Sequence, residues 1–279
     1  MVRNNEERFG PRNTGGDETP VTAPESLLQF VTPTEFVEIP SRGIGYPVGH
    51  PLCGKETIEI RYMTAKDEDI LTSRSLIKKG IALERLISNL IVDKTIMPST
   101  MLSGDRNAIV IAARASAYGH LYKTTVTCPS CQAKQKYAFD LADPDVYHGD
   151  ETNEYNIKTL DNGNYLITLP VSNFEVEVKL LRGEDEAKAV KIINDKKTEN
   201  SLISNQMKLF IVSVNGHNQP GVIQYFIENA PSSQTRMLRE AYDLVTPNVK
   251  IKGDFECEKC NHEEAMEVSL GADFFWPDR

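Results

Sequence analysis

Two C-x-x-C pairs, Cys128-Pro-Ser-Cys131 and Cys257-Glu-Lys-Cys260, constrain this chain more than any other feature. Two thiolates three positions apart reach one ion from a single tight turn. Two such turns give four sulfurs in a tetrahedron, the arrangement that structural zinc prefers. Each pair is flanked by short runs that read as strands, which predicts a zinc ribbon with one metal clasping two hairpins. Four cysteine ligands leave no open position, so this metal would hold structure and do no chemistry. The 125 residues between Cys131 and Cys257 far exceed the ~15–20 of an ordinary ribbon. A whole subdomain is therefore expected between the halves of the clasp.

Three other uses of these cysteines compete. A thioredoxin-like redox motif would stand at a strand-to-helix start, and neither pair does. Disulfides or plain buried thiols are the others. The flanking strands favour the metal. His262 could replace one ligand, although an exposed hairpin histidine is the simpler reading. Cys53 reads as a free thiol in a Gly/Pro-rich loop.

Composition narrows the function classes. The net charge of −9 argues against gripping nucleic acid through a basic face, and neither pair has basic residues clustered beside it. No run approaches the ~18 apolar residues of a membrane span, and the polar N-terminus lacks a signal-peptide core. Few cysteines, four in metal spacing, suit a reducing cytoplasm. The five histidines are scattered, without the i, i+4 pair of a hydrolytic zinc helix. No catalytic Ser/His/Asp set, phosphate loop or open metal site stands out.

The pattern predicts an α+β fold: a helical N-terminal part, then a four-cysteine zinc ribbon carrying a large inserted β-hairpin and helical subdomain. Residues 1–37 read as an extended or disordered arm; 1–24 are too polar to form a core. Residues 38–120 read as mainly helical. Thr57–Tyr62 alternates as a strand. Thr64 caps a helix to about Lys79, with Asp67 and Asp69 in its first turn as capping acids. Ile81–Val92 carries Leu83, Leu86, Ile87 and Leu90 on one face. A third helix, Ala108 to about Gly119, is apolar on several sides, so Arg106 and Arg114 should need internal acidic or carbonyl partners.

Residues 121–141 and 248–270 form the discontinuous ribbon, and 142–247 the insert. Within the insert, Pro144–Glu154 reads as an acidic loop. Strands follow at Tyr155–Leu160, Tyr165–Leu169 and Phe174–Leu181, and helices at Glu184–Lys197, Leu202–Val214 and Ser232–Val245. Residues 271–279 form an aromatic tail. Phe274, Phe275 and Trp276 either dock on a partner or fold back and seal their own domain.

Several stretches together resemble the baseplate hub proteins of contractile-tailed bacteriophages: Val37-Glu-Ile-Pro-Ser-Arg-Gly43, Met63-Thr-Ala-Lys-Asp-Glu-Asp-Ile-Leu71, Gly104-Asp-Arg-Asn-Ala-Ile109, both cysteine pairs and Phe274-Phe-Trp-Pro277. The similarity spans roughly residues 36–277 and omits the N-terminal segment (a judgement of pattern). It implies a non-enzymatic part of the tail baseplate hub, made in the host cytoplasm. The expected partners are other hub and tail proteins, with the tape measure protein a candidate. The alternatives are a hub assembly chaperone absent from the finished particle and, behind it, a nucleic-acid-binding ribbon protein.

Overall fold

The computed structural model describes residues 32–149, 155–193 and 202–275. The N-terminal segment 1–24 and Trp276 lie outside them. The body is the unit Pro33–Arg279. It begins with strand β1 (Thr34–Glu38), antiparallel to β2 (Thr57–Arg61) with Thr34 opposite Arg61. The last residues of the expected arm, 34–37, therefore belong to a sheet.

Helix α1 (Ala65–Thr72) follows, capped by Thr64. Asp67 accepts hydrogen bonds from the Thr64 N–H and hydroxyl, both at 2.9 Å, and pairs with Arg61 at 2.7 Å. Its buried carboxylate is a cap, and Asp69 is exposed. The helix expected to reach Lys79 breaks at Ser73, whose backbone is extended, and restarts as α2 (Arg74–Lys78). Serine bonds readily to nearby backbone and side chains, which weakens a helix interior. Helix α3 (Ala82–Leu90) buries Leu86, Ile87 and Leu90.

A 3-10 turn at Pro98–Thr100 leads to α4 (Ser103–Tyr118), the central helix. Gly104 lets it press on the later chain: a Cβ there would lie 2.1 Å from the Pro247 carbonyl oxygen. Of the two arginines on α4, Arg106 has the expected partners, Glu186 at 3.1 Å and the Pro98 carbonyl at 2.8 Å. Arg114 does not. Its guanidinium stacks over Tyr118 and Tyr122, 4.6 and 5.8 Å from the ring centres. Its Nε and one Nη make no hydrogen bond among the described residues. Aromatic faces are a substitute for an acid that sequence cannot anticipate.

Strands β3 (Leu121–Thr127) and β4 (Lys134–Asp140) make the first cysteine hairpin. Strand β5 (Asp145–Tyr147), inside the expected acidic loop, pairs with β10 (Asn248–Lys250) about a hundred residues later. Strands β6 (Ile157–Thr159), β7 (Tyr165–Thr168), β8 (Glu175–Val178) and β9 (Ile211–Val214) form an antiparallel sheet in that order. Helices α5 (Gly183–Ile193) and α6 (Leu202–Phe210) lie between β8 and β9 in sequence.

The expected helix 202–214 thus stops at Phe210. Ile211-Val-Ser-Val214 is β-branched apart from its serine, and the open edge of β8 offers it a ladder. Helix α7 (Pro220–Asn229) was not foreseen, although Pro220 stands at a helix start, where its missing N–H costs nothing. Helix α8 (Ser232–Val245) buries Leu238, Ala241, Tyr242 and Val245, and Tyr242 stacks on Phe210 at 4.1 Å. Strands β11 (Lys252–Glu256) and β12 (Glu263–Glu267) form the second cysteine hairpin.

One apolar core runs from Val37 through the inserted residues to Phe275. The helical part and the insert therefore share their packing. The hairpin tips have a small core of their own: Cys128, Phe255 and Cys257, with Val126, Ala133, Tyr137 and Met266 against it.

Candidate metal centre

The two cysteine turns have the same local geometry. In the first, the Cys128 N–H donates to the Ala133 carbonyl (2.8 Å) and the Gln132 N–H to the Cys128 carbonyl (2.9 Å). In the second, the Cys257 N–H donates to the His262 carbonyl (2.9 Å) and the Asn261 N–H to the Cys257 carbonyl (2.8 Å). The residue after each second cysteine takes a left-handed backbone, Gln132 at φ 59° and Asn261 at φ 54°. Asparagine tolerates that conformation readily; glutamine does so less often.

The turns bring all four sulfurs within 4.8 Å of one another. The Cys128 and Cys260 sulfurs lie 3.7 Å apart, and those of Cys131 and Cys257 3.6 Å. Four ligands about 2.3 Å from a common centre stand about 3.8 Å apart when tetrahedral. The spacing fits one ion, and all four cysteines are free thiols. Cys128 and Cys257 are buried, while Cys131 and Cys260 face solvent.

Electrostatics point the same way. Backbone N–H groups of Lys259 and Cys260 aim at the Cys257 sulfur and bring its thiol down to about 6. At Cys260 the His262 N–H pulls down, but burial and the three neighbouring sulfurs outweigh it, raising that thiol to about 12. Four sulfurs this close cannot all ionise unless a cation balances them. The donor set therefore suits a thiophilic ion and leaves no place for a substrate on it.

The His262 ring lies 3.4 Å from Glu264 and is not one of the clustered ligands. Cys53 is an exposed free thiol. Two residues that sequence reasoning missed join the hairpins. Gln135 donates to the Glu256 carbonyl (2.8 Å) and accepts from the Glu258 N–H (3.0 Å). The Tyr137 hydroxyl donates to the Asp254 carbonyl (3.0 Å). The alternation of β4 marks both as partly inward, but nothing in the sequence names their partners.

Phe274 and Phe275, expected as candidate partner-binding residues, are each 1 % exposed. Phe274 packs on Tyr122 at 4.9 Å and on Phe275 at 5.9 Å. These two rings seal their own domain, so they are not an open binding surface. The reason is the apolar site that β3 offers them.

The sequence model of the family described as T4 bacteriophage base plate protein matches residues 46–276. The chain belongs to this family. The matched span holds both cysteine pairs, the Met63–Leu71 and Gly104–Ile109 stretches and the Phe-Phe-Trp run; Val37–Gly43 lies just outside it. No curated protein and no solved structure matches. A baseplate protein is a part of the phage tail. Among the described residues no helix is long and apolar enough to cross a membrane.

Proposed function

We propose that this chain is a structural component of the baseplate hub of a contractile phage tail. It works by binding other hub and tail proteins, the tape measure protein being a candidate. A structural zinc ion held by Cys128, Cys131, Cys257 and Cys260 closes a ribbon made of the two hairpins. The observation that carries this reading is the baseplate family match over a body whose four-sulfur cluster has the geometry of a closed clasp. A closed four-thiolate site holds chain segments together and activates no water, which supports a non-enzymatic role. The net charge of −9 opposes a nucleic-acid role.

Quantitative mass spectrometry of purified tails tests the assignment. A component is present in the finished particle at a fixed ratio to other baseplate proteins. A protein required for assembly but missing from the particle is instead a hub assembly chaperone. Native mass spectrometry of the purified chain tests the metal, with one zinc per chain expected.

A further inference from the structure

The loop between β1 and β2 is held more tightly than its exposure requires. Asp105 on α4 accepts hydrogen bonds from the Ser41 N–H (2.9 Å), the Ser41 hydroxyl (2.6 Å) and the Tyr46 hydroxyl (2.7 Å). Arg182 donates to the Gly45 carbonyl at 2.9 Å, and His148 Nδ1 lies 2.9 Å from the Pro40 carbonyl that it can donate to. Gly43 sits at φ 73°, where a Cβ would come within 2.6 Å of three backbone atoms of Leu52, Gly54 and Lys55. A loop fixed at so many points presents whatever it carries in one geometry, and that lowers the entropy cost of binding.

This loop carries Arg42 and Ile44. Arg42 has a left-handed backbone (φ 50°). Its exposed guanidinium makes no hydrogen bond or ion pair among the described residues. Ile44 is 61 % exposed. Both line a cleft of about 170 Å³ whose other apolar walls are Tyr165, Leu180, Val245 and Pro247. An apolar cavity of ~150 Å³ admits a benzene-sized group, so the cleft takes one Leu- or Phe-sized side chain. Among the described residues no acidic side chain lines it, although the chain as a whole is acidic. Glu38, which is not among the lining residues, lies 3.9 Å from His148 Nε2.

We infer that this cleft is a docking site for a segment of a neighbouring baseplate protein that carries an apolar side chain beside a carboxylate. The side chain fills the cleft and the carboxylate pairs with Arg42. Arginine meets a carboxylate through two parallel N–H donors, and such pairs around an apolar anchor are typical of interface hot spots. The inference rests on the baseplate reading above.

Phage carrying Arg42→Glu or Ile44→Asp test it, with phage deleted for this chain as reference. Both substitutions lie on exposed side chains, so thermal melting of the purified variants should stay within a degree or two of the parent. Tail assembly should drop tenfold or more. Suppressors of Arg42→Glu should convert an acid of another tail protein to Lys or Arg. Normal assembly by both variants overturns the docking site, and so do suppressors confined to this chain. Variants that melt early instead show that these side chains support the fold and also overturn it. Normal tails from the deletion phage would defeat the hub assignment itself, an outcome distinct from any of these.

Discussion

Asp67 shows how one side chain holds a junction. Burial pushes its carboxyl up, but the Arg61 guanidinium and the Thr64 N–H and hydroxyl outweigh that and hold it below the usual range. A carboxyl depressed in the folded state adds stability above its unfolded value of about 3.9 and loses it as pH falls through the folded value. Asp67→Asn should therefore destabilise by about 1.5–3 kcal/mol at pH 7, the loss of hydrogen bonds to a charged group. The deficit against the parent should close as denaturation is repeated at lower pH, from about pH 4 downward. Asp105 has the opposite sign. Burial raises its carboxyl, against the pull of the Ser41 and Tyr46 donors. Its contribution is full below the ordinary carboxyl value and falls as pH rises through the raised one. In sequence both residues are acids near helix starts. Only their surroundings separate a paired charge from a desolvated one.

At the scale of elements, the hairpins β3–β4 and β11–β12 meet at the four-cysteine cluster, and the zinc proposed there should support both. Their shared core is small, with Phe255 the one large side chain buried in it. Ligand binding energy becomes folding energy in such units. A strong chelator, or Cys257→Ser, should lower the melting temperature by at least about 5 °C, the shift that roughly 2 kcal/mol gives in a domain of this size. Proteolysis should then cut first in the loosened hairpins. Unchanged melting and cleavage with the chelator would remove the metal from the account of stability. The elements that read most clearly, β3, β4 and α8, combine clean periodicity with a definite stop. Of those that misled, the helix expected to reach Lys79 broke locally at Ser73, while β5 and β9 had a local preference that a distant partner overrode. Ile211–Val214 continues an apolar helical run until the β8 edge claims it.

For the whole molecule, the chain end matters most. Phe274 and Phe275 lie in the same core as Val37 and Ile39 at the start of the body. Removing a buried Phe side chain costs ~3–5 kcal/mol, against a total stability of ~5–15 kcal/mol. Truncation after Gly271 should leave a chain that is insoluble or melts without cooperativity. Phe274→Ala alone should fold with a melting temperature lower by several degrees. A truncated protein with parental melting would show the rings to be dispensable to the core.

The sequence by itself singled out the four cysteines that the fold brings together, because C-x-x-C spacing is a local property that survives any insertion between the pairs. It determined the Thr64 cap and the strongly periodic strands for the same reason. The tertiary structure decided the pairing of β5 with β10, the strand at Ile211–Val214, the aromatic bed of Arg114 and the burial of Phe274 and Phe275. Each depends on which distant surface arrives beside it. Burial and ladder hydrogen bonds are awarded by the packing of the whole chain, and no window of neighbouring residues contains that information.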